Sequence, residues 1–272
     1  MNTAEPTGRS PRHPVRPSVL VAVLLVASAV IVTLVLTGNG SHHGGDGPGH
    51  GSLGRAAPGE PAGDADSSTD FHAGDAGLVV LDGVSGRIQV SADPGARTVR
   101  GSFHRADGAP ARVRTAIAPA GADGSGTLTV SCQDAGGAGT PCAGELTLTV
   151  PEHTGLRLRQ TSGETVLSGL GGALTVTAAS DRFTAQDLHP SRAELTLTSG
   201  SADLGFADPP DTLAVRATSA AMTLRLPAAG GGYAVTTAAT SADVQVQVPR
   251  RADSPHRVSL QVLSGSLAVL PS

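Results

Sequence analysis

The chain has 272 residues, and its 23 acidic side chains exceed the 19 basic ones, all of them Arg, to give a formal net charge of −4. A mildly acidic chain without a basic run argues against nucleic-acid binding, and an aromatic content of 2% leaves few rings on which bases could stack. The scarcity of aromatics also predicts a thin core of Val, Leu and Ala, which suits a repeat protein whose coils contact only their neighbours.

The N-terminus has the pattern of a membrane anchor. Residues 1–17 are polar and contain Arg, whereas residues 18–37 carry no charge and are mostly Val, Leu and Ala. As a helix its 19 residues from Val19 to Thr37 span about 28 Å, close to the thickness of a bilayer core. Because the Arg residues lie only on its N-terminal side, we predict a cytoplasmic tail, a single-pass signal-anchor helix at 18–37 in the cell membrane, and an extracellular main domain.

Two alternatives to this anchor stay open. Cleavage of a signal peptide after Ala-Ser-Ala at 27–29 would leave an apolar tail on the mature chain, and the run is longer than a usual signal h-region. A buried core helix would need other helices to cover it, and the sequence has no second helix pattern. We therefore expect an uncleaved anchor.

Residues 38–75 are dominated by Gly, Pro, Ser, Asp and His. Such a segment cannot bury enough apolar surface to offset its ordering entropy, so we predict a disordered linker. It contains His42, His43, Asp46 and His50, a set that could hold a transition metal. Because no folded frame fixes their geometry, we interpret them as part of a low-complexity spacer and assign no metal site.

Residues 76–155 read as an irregular β region. Leu78–Val90, LVVLDGVSGRIQV, alternates with the period of 2 that is typical of strands and is centred on Ser85. Less regular strand-like runs follow at 97–103, 111–117, 127–132 and 144–150. We predict either the same architecture as the later repeats with longer arms, or a small β cap.

The two cysteines of the chain, Cys132 and Cys142, flank a Gly-rich loop between two of these strands. We predict a hairpin whose neck brings the two sulfurs together as a structural disulfide in an oxidising exterior. Closing a loop of about ten residues contributes about 2–3 kcal/mol to stability. A redox or metal pair is the alternative, but it would need CxxC spacing or a nearby His.

Residues 156–272 repeat one short phrase. Small or apolar residues lie two, four and six positions before a serine and three and five after it, and Thr-Ser-Gly or Thr-Ser-Ala supplies turn chemistry at most of the serines. The serines lie 18 to 23 residues apart, which predicts a parallel, β-helix-like solenoid of strand, tight corner and strand, stacked at about 4.8 Å per coil. An antiparallel sandwich of hairpins is the alternative. The repeated serines are Ser162, Ser180, Ser199, Ser219, Ser241 and Ser264.

Signatures of catalysis are missing from the sequence. It has no G-x-S-x-G elbow, no HExxH and no lysine for a P-loop, so we assign no catalytic residues and no cofactor. Most acidic residues of the repeats fall in corners and returns at differing offsets from the serines, so we do not expect them to stack into one cluster. They are Asp181, Asp187, Asp203, Asp208, Asp211 and Asp243. Five scattered histidines are interpreted as solvated: His72, His104, His153, His189 and His256.

The order of these motifs resembles a known family. The strands broken by Thr-Ser-Gly, the opening LVVLDGVSGRIQV, the cysteine pair, the phrase LTLTVPEHTGLRLRQTSG and the tail RVSLQVLSGSLAVLPS are similar to the bacterial putative-adhesin domains of unknown function, over about residues 71–272. The resemblance implies a membrane-anchored, repeat-containing β-solenoid outside the cell and brings no catalytic residues. This chain departs from the family pattern at Thr-Ser-Ala and Ala-Ser-Asp, where we expect wider corners.

Together these observations predict a non-enzymatic, adhesin-like protein that presents a surface to a cell-wall or envelope partner. A polysaccharide-active enzyme on a β-helix scaffold and an envelope metal or stress sensor acting through the His-rich linker are the alternatives. We also predict self-association through the final coil, Val258–Val269, since it lacks a charged cap and an open edge can recruit a strand.

Overall fold

The computed structural model describes residues 68–74, 76–107, 113–118, 126–132 and 142–272, and within them the fold is all-β without a helix. The predicted tail and anchor lie outside these residues. Among the residues described, no helix is long and apolar enough to cross a membrane. The strands are β1 (Ser68–Ala73), β2 (Leu78–Asp82), β3 (Val84–Asp93), β4 (Val99–Arg105), β5 (Val113–Ala118), β6 (Thr127–Cys132), β7 (Cys142–Pro151), β8 (Gly155–Ser168), β9 (Leu174–Leu188), β10 (Arg192–Phe206), β11 (Thr212–Leu226), β12 (Ala234–Val246) and β13 (Arg257–Pro271).

One hydrogen-bonded sheet contains all these strands. Its main path runs β1-β4-β7-β3-β8-β9-β10-β11-β13-β12, and β2, which also pairs with β8, leads through β6 to β5. The pairs β1–β4, β4–β7 and β5–β6 are antiparallel, and every other pair is parallel. The antiparallel sandwich is therefore wrong for the repeats, because each repeat lies parallel to its neighbours.

The serines of the repeat line up across the sheet, as the sequence predicts. Ser180 pairs with Ser162 and with Ser199, and Ser219 continues the column. Ser264 then pairs with Ser219 on one side and Ser241 on the other. Each copy is a single bent strand whose ladder continues through the corner, rather than two separate strands. We call the residues before the serine the first arm of the strand and those after the serine its second arm.

At the glycine corners the residue after the serine comes very close to the next strand. At Gly200 the backbone has φ +109°, and a Cβ atom there would lie 2.1 Å from the carbonyl oxygen of Asp181. A side chain cannot fit at that distance, and positive φ disfavours residues other than glycine. The glycine at Gly200 is thus required by its own backbone conformation and close approach, whereas its register partners Asp181 and Ala220 carry side chains.

The core is a set of columns in which inward side chains stack on inward side chains. Val176, Leu195, Val215 and Leu260 occupy one column and are each at most 3% exposed. These are the positions predicted from the period of 2, and Val, Leu and Ala dominate them as the composition requires. Parallel pairing in register makes every strand bury the same face.

The N-terminal part of the sheet shows where two sequence predictions fail. β6 pairs with β2 while β7 pairs with β3, so the strands around the cysteines do not pair with each other as a hairpin. They are the two arms of another layer, stacked on the β2–β3 layer. The strand β1 also lies inside the predicted linker, because the Phe71 side chain is buried and its ring lies over Gly101.

The C-terminal end of the sheet departs from chain order. β13 lies between β11 and β12, so the prediction that Val258–Val269 forms the open edge is wrong and β12 forms it instead. Burial explains the exchange, since a strand flanked on both sides removes more apolar surface from water than an edge strand. The inward residues of β13 are larger and more apolar than those of β12: Val258, Leu260, Val262, Leu267 and Val269 against Val235, Thr237, Ala239, Val244 and Val246.

Candidate functional site

The second arms of five neighbouring strands form a shallow groove of about 440 Å³ on the outer face of the sheet. We call it the outer groove. It crosses β9, β10, β11, β13 and β12 in that spatial order. Its lining residues are Arg182, Phe183, Thr184, Ser201, Ala202, Asp203, Ala221, Met222, Thr223, Asp243, Gln245, Ser266, Leu267 and Ala268.

The shape of the groove follows from one column of residues, two positions after each serine. In register across the sheet this column reads Arg182, Ser201, Ala221, Ser266 and Asp243. The three central side chains are small, so the floor is low there, whereas the two ends carry longer charged side chains. The repeat thus places small side chains along the middle of the outer groove. The two charged residues that depart from this pattern, Arg182 and Asp243, are the groups that could bind a charged ligand.

The two end charges of the outer groove are available to a ligand. Arg182 and Asp243 are exposed, and within the described part of the chain neither has an ion-pair partner; Asp243 accepts a hydrogen bond of 3.2 Å from Gln245. Four strand spacings separate them, or about 19 Å. This arrangement suits an extended polar chain with an anionic group near Arg182 and a cationic group near Asp243.

The groove carboxylates do not have the geometry of a glycosidase pair. Asp203 forms an ion pair with Arg225. The strands of Asp203 and Asp243 are three strand spacings apart, or roughly 14 Å. Hydrolysis of a glycosidic bond uses two carboxyl groups about 5–9.5 Å apart. The pair in this groove therefore cannot act on opposite sides of one glycosidic bond.

A buried polar cluster lies just inside the corner of β8 and β9. Asp181, Thr165 and Gln160 are each at most 3% exposed, although two of them occupy inward positions that are apolar in most copies. The Thr165 hydroxyl lies 2.7 Å from Oδ2 of Asp181 and also bonds Oε1 of Gln160. The Gln160 amide donates to the carbonyl oxygens of Gly86 and Ser162, at 3.0 and 3.2 Å.

Burial raises the pKa of Asp181 above its usual value, and the negative charge of Glu164 adds to the effect. The hydrogen bond from Thr165 and the backbone amide of Arg182 oppose it. Sequence reasoning placed Asp181 in a corner and missed this cluster. The signal was present, because Thr165 and Gln160 both break the apolar pattern within the same copy.

Cys132 ends β6 and Cys142 begins β7, the strands that pair with β2 and β3. Ser131 pairs with Asp82 and Cys142 pairs with Val84, so the register places Cys132 and Cys142 beside the bonded neighbours Gly83 and Val84. A disulfide between them would link the end of β6 to the start of β7, beside the point where β2 continues into β3. The disulfide between Cys132 and Cys142 stays a prediction. Its geometric basis is the register of β6 and β7 with β2 and β3 rather than a hairpin.

The histidines of the described region do not converge on one another. His189 Nδ1 lies 3.0 Å from Oδ2 of Asp208, and His256 Nδ1 lies 3.0 Å from the carbonyl oxygen of Pro210. The residues described contain no group of three or more His, Cys, Asp or Glu side chains that could hold a metal ion. The His-rich stretch at 42–50 lies outside them.

Comparison with known proteins finds similarity in structure alone. No family model and no curated protein matches the chain. A "putative cell adhesion protein" from Clostridium sporogenes is 10% identical, with a TM-score of 0.47 over 75% of this chain and 100% of that chain. A "putative adhesin" from Bacteroides fragilis is 13% identical, with a TM-score of 0.39 over 75% of this chain and 96% of that one. At these scores the likeness carries no argument about function.

Proposed function

We propose that the chain is a non-enzymatic, membrane-anchored, extracellular β-solenoid whose outer groove binds an extended, charged component of the cell wall or envelope. The protein would be adhesin-like, held at the membrane by residues 18–37 with its N-terminus in the cytoplasm. The single observation on which this proposal rests is the outer groove, a face of small side chains with a free cation at one end and a free anion at the other.

The repeat supports both parts of this proposal. Parallel strands joined in register through a bent serine corner are what a solenoid requires. A sheet built from repeats also presents the same outward position on every layer, so a linear ligand can contact several layers in succession. The cross-strand ion pairs Arg87–Glu164 and Arg216–Glu194 are largely exposed and contribute little to stability.

Cosedimentation of the purified full-length protein, kept soluble in detergent, with bacterial peptidoglycan sacculi tests the groove. Peptidoglycan offers peptide stems with both carboxylates and amines, which match Arg182 and Asp243. We expect sedimentation that weakens at least threefold for Arg182→Gln or Asp243→Asn, and about tenfold for Arg182→Glu.

Arg159→Gln is the matched control, because Arg159 is an exposed arginine on the first arm of β8, away from the outer groove. Its sedimentation should equal that of the wild type. Absence of sedimentation, or an equal loss in the Arg159 and Arg182 variants, would overturn the proposed function.

A further inference from the structure

The edge strand β12 ends the core without covering it. Leu260, Val262 and Leu267 of β13 are at most 2% exposed, whereas their register partners on β12, Thr237, Ala239 and Val244, are exposed or only partly buried. The columns of core side chains therefore continue one strand further and then face water.

The unpaired backbone groups of β12 belong to the same residues. The amide of Ala234 donates to His256 and that of Gln247 donates to Val269, so both point toward β13. Amide direction alternates along a strand. Counting forward from Ala234 in the first arm and backward from Gln247 in the second, the amides and carbonyls that point away from β13 belong to alternate residues. These residues are Val235, Thr237, Ala239, Val244 and Val246.

We propose that two copies of this chain associate through β12, antiparallel and around a two-fold axis near Thr240 and Ser241. A two-fold axis brings the first arm of one copy opposite the second arm of the other. In the proposed register the numbers of two opposing residues add up to 481. Val235 then faces Val246 of the second copy, and Thr237 faces Val244 of the second copy.

This register satisfies two conditions at once. Inward residues have odd numbers in the first arm and even numbers in the second, so only an odd sum places inward side chains opposite each other and extends the core. The same parity places outward amides opposite outward carbonyls, which gives hydrogen-bonded antiparallel pairs. The strand thus complements itself, as a two-fold interface requires.

Charge and the opposite end of the sheet also favour a second copy as the occupant. Asp243 is the one charged residue of β12, and in this register it faces Ala238 of the second copy rather than a like charge. β12 contains no Pro, Arg or Lys, the residues that usually protect an edge. At the other end, β1 and β5 are strands of six residues that run antiparallel to their neighbours, so head-to-tail stacking onto the 13-residue β12 is mismatched in length.

Sedimentation equilibrium of the full-length protein in detergent, from 1 to 200 µM, tests the association. We expect a reversible dimer, and we expect Thr237→Lys to raise its dissociation constant at least tenfold by placing two cations in the extended core. Thr177→Lys on the central strand β9 is the control and should leave the dissociation constant unchanged, since Thr177 is exposed and far from the edge. Circular dichroism and the thermal midpoint confirm that each variant is folded.

Oxidative crosslinking tests the register. The double variant Thr237→Cys with Val244→Cys should form a covalent dimer, whereas Thr237→Cys alone should not, because its two copies would lie about 23 Å apart. A monomeric wild type, a dimer indifferent to Thr237→Lys, or crosslinking of the single variant would each overturn the proposal. A dimer held together by residues 18–37 would be indifferent to Thr237→Lys. An edge that is covered by another segment or another protein would leave the wild type monomeric.

Discussion

The Thr165 hydroxyl lies 2.7 Å from Oδ2 of Asp181 and also contacts Oε1 of Gln160. A hydroxyl has one proton, so Thr165 can donate to only one of these two oxygens while Asp181 is ionised; once Asp181 is protonated, the carboxyl group can donate to Thr165 and Thr165 to Gln160. A protonated Asp181 gives a continuous chain from Asp181 through Thr165 to Gln160. Burial raises the pKa of Asp181, and the hydrogen bonds open to its neutral form act in the same direction.

Replacing Asp181 with Asn should therefore stabilise the protein at neutral pH. The pKa of Asp181 is raised by folding, so its favourable contribution is complete below its unfolded value of about 3.8 and is lost as the pH rises through the higher folded value. The Asn amide keeps the donor to Thr165 without a charge. Urea midpoints between pH 3 and 8 should converge for the two proteins at low pH and diverge at neutral pH.

Two neighbouring charges must be considered in that experiment. Glu164 raises the pKa of Asp181, and Arg87 pairs with Glu164 at 2.8 Å. The Glu164→Gln variant should therefore shift the pH dependence slightly to lower pH while Asp181 is present. Parallel urea curves for wild type and Asp181→Asn at every pH would show that Asp181 does not titrate differently in the folded state.

Substitution of Gly200 by Ala should destabilise the corner. The backbone there has φ +109°, and the new Cβ would lie 2.1 Å from the carbonyl oxygen of Asp181. We expect a loss of about 1–3 kcal/mol in the free energy of unfolding, measured by urea denaturation. Gly205→Ala on the same strand is the control, since its Cβ would lie 3.8 Å from the nearest atom, and a change in excess of about 0.5 kcal/mol there would contradict the steric explanation.

Two valines distinguish an interior strand from an edge strand. Val269 of β13 pairs with Val246 of β12, and the former is 0% exposed whereas the latter is partly buried. Val269→Ala should reduce the free energy of unfolding by about 2 kcal/mol and Val246→Ala by less than about 1 kcal/mol. Unfolding should be followed at low micromolar protein or below, so that association does not bury Val246. Equal losses would contradict the spatial order β11-β13-β12.

The cysteine pair gives a prediction that does not depend on the groove. The register places Cys132 and Cys142 beside Gly83 and Val84, which are bonded neighbours. Native protein should accept no alkylating reagent before reduction and two equivalents after it, as read by mass spectrometry. Reduction should lower the free energy of unfolding by about 2–3 kcal/mol. Alkylation of the unreduced native protein would show that the two thiols are free.

The sequence of this protein determined the repeat and its register. A serine corner with apolar residues at fixed offsets can bury one face only if every copy bends at the same place, so Ser162, Ser180 and Ser199 had to form a column. The core positions followed from the same period. Composition alone required that aliphatic residues dominate this core, which also buries the four phenylalanines and the one tyrosine of the chain.

The tertiary structure decided which copies are neighbours and which polar residues are buried. Local pattern is nearly the same in β12 and β13, so only the greater apolar burial of β13 between two strands places it inside the sheet and leaves β12 at the edge. Asp181 has the sequence context of an exposed corner. It is buried because the stacking of β9 on β8 brings it against Thr165 and Gln160, two polar residues at inward positions that are apolar in most copies.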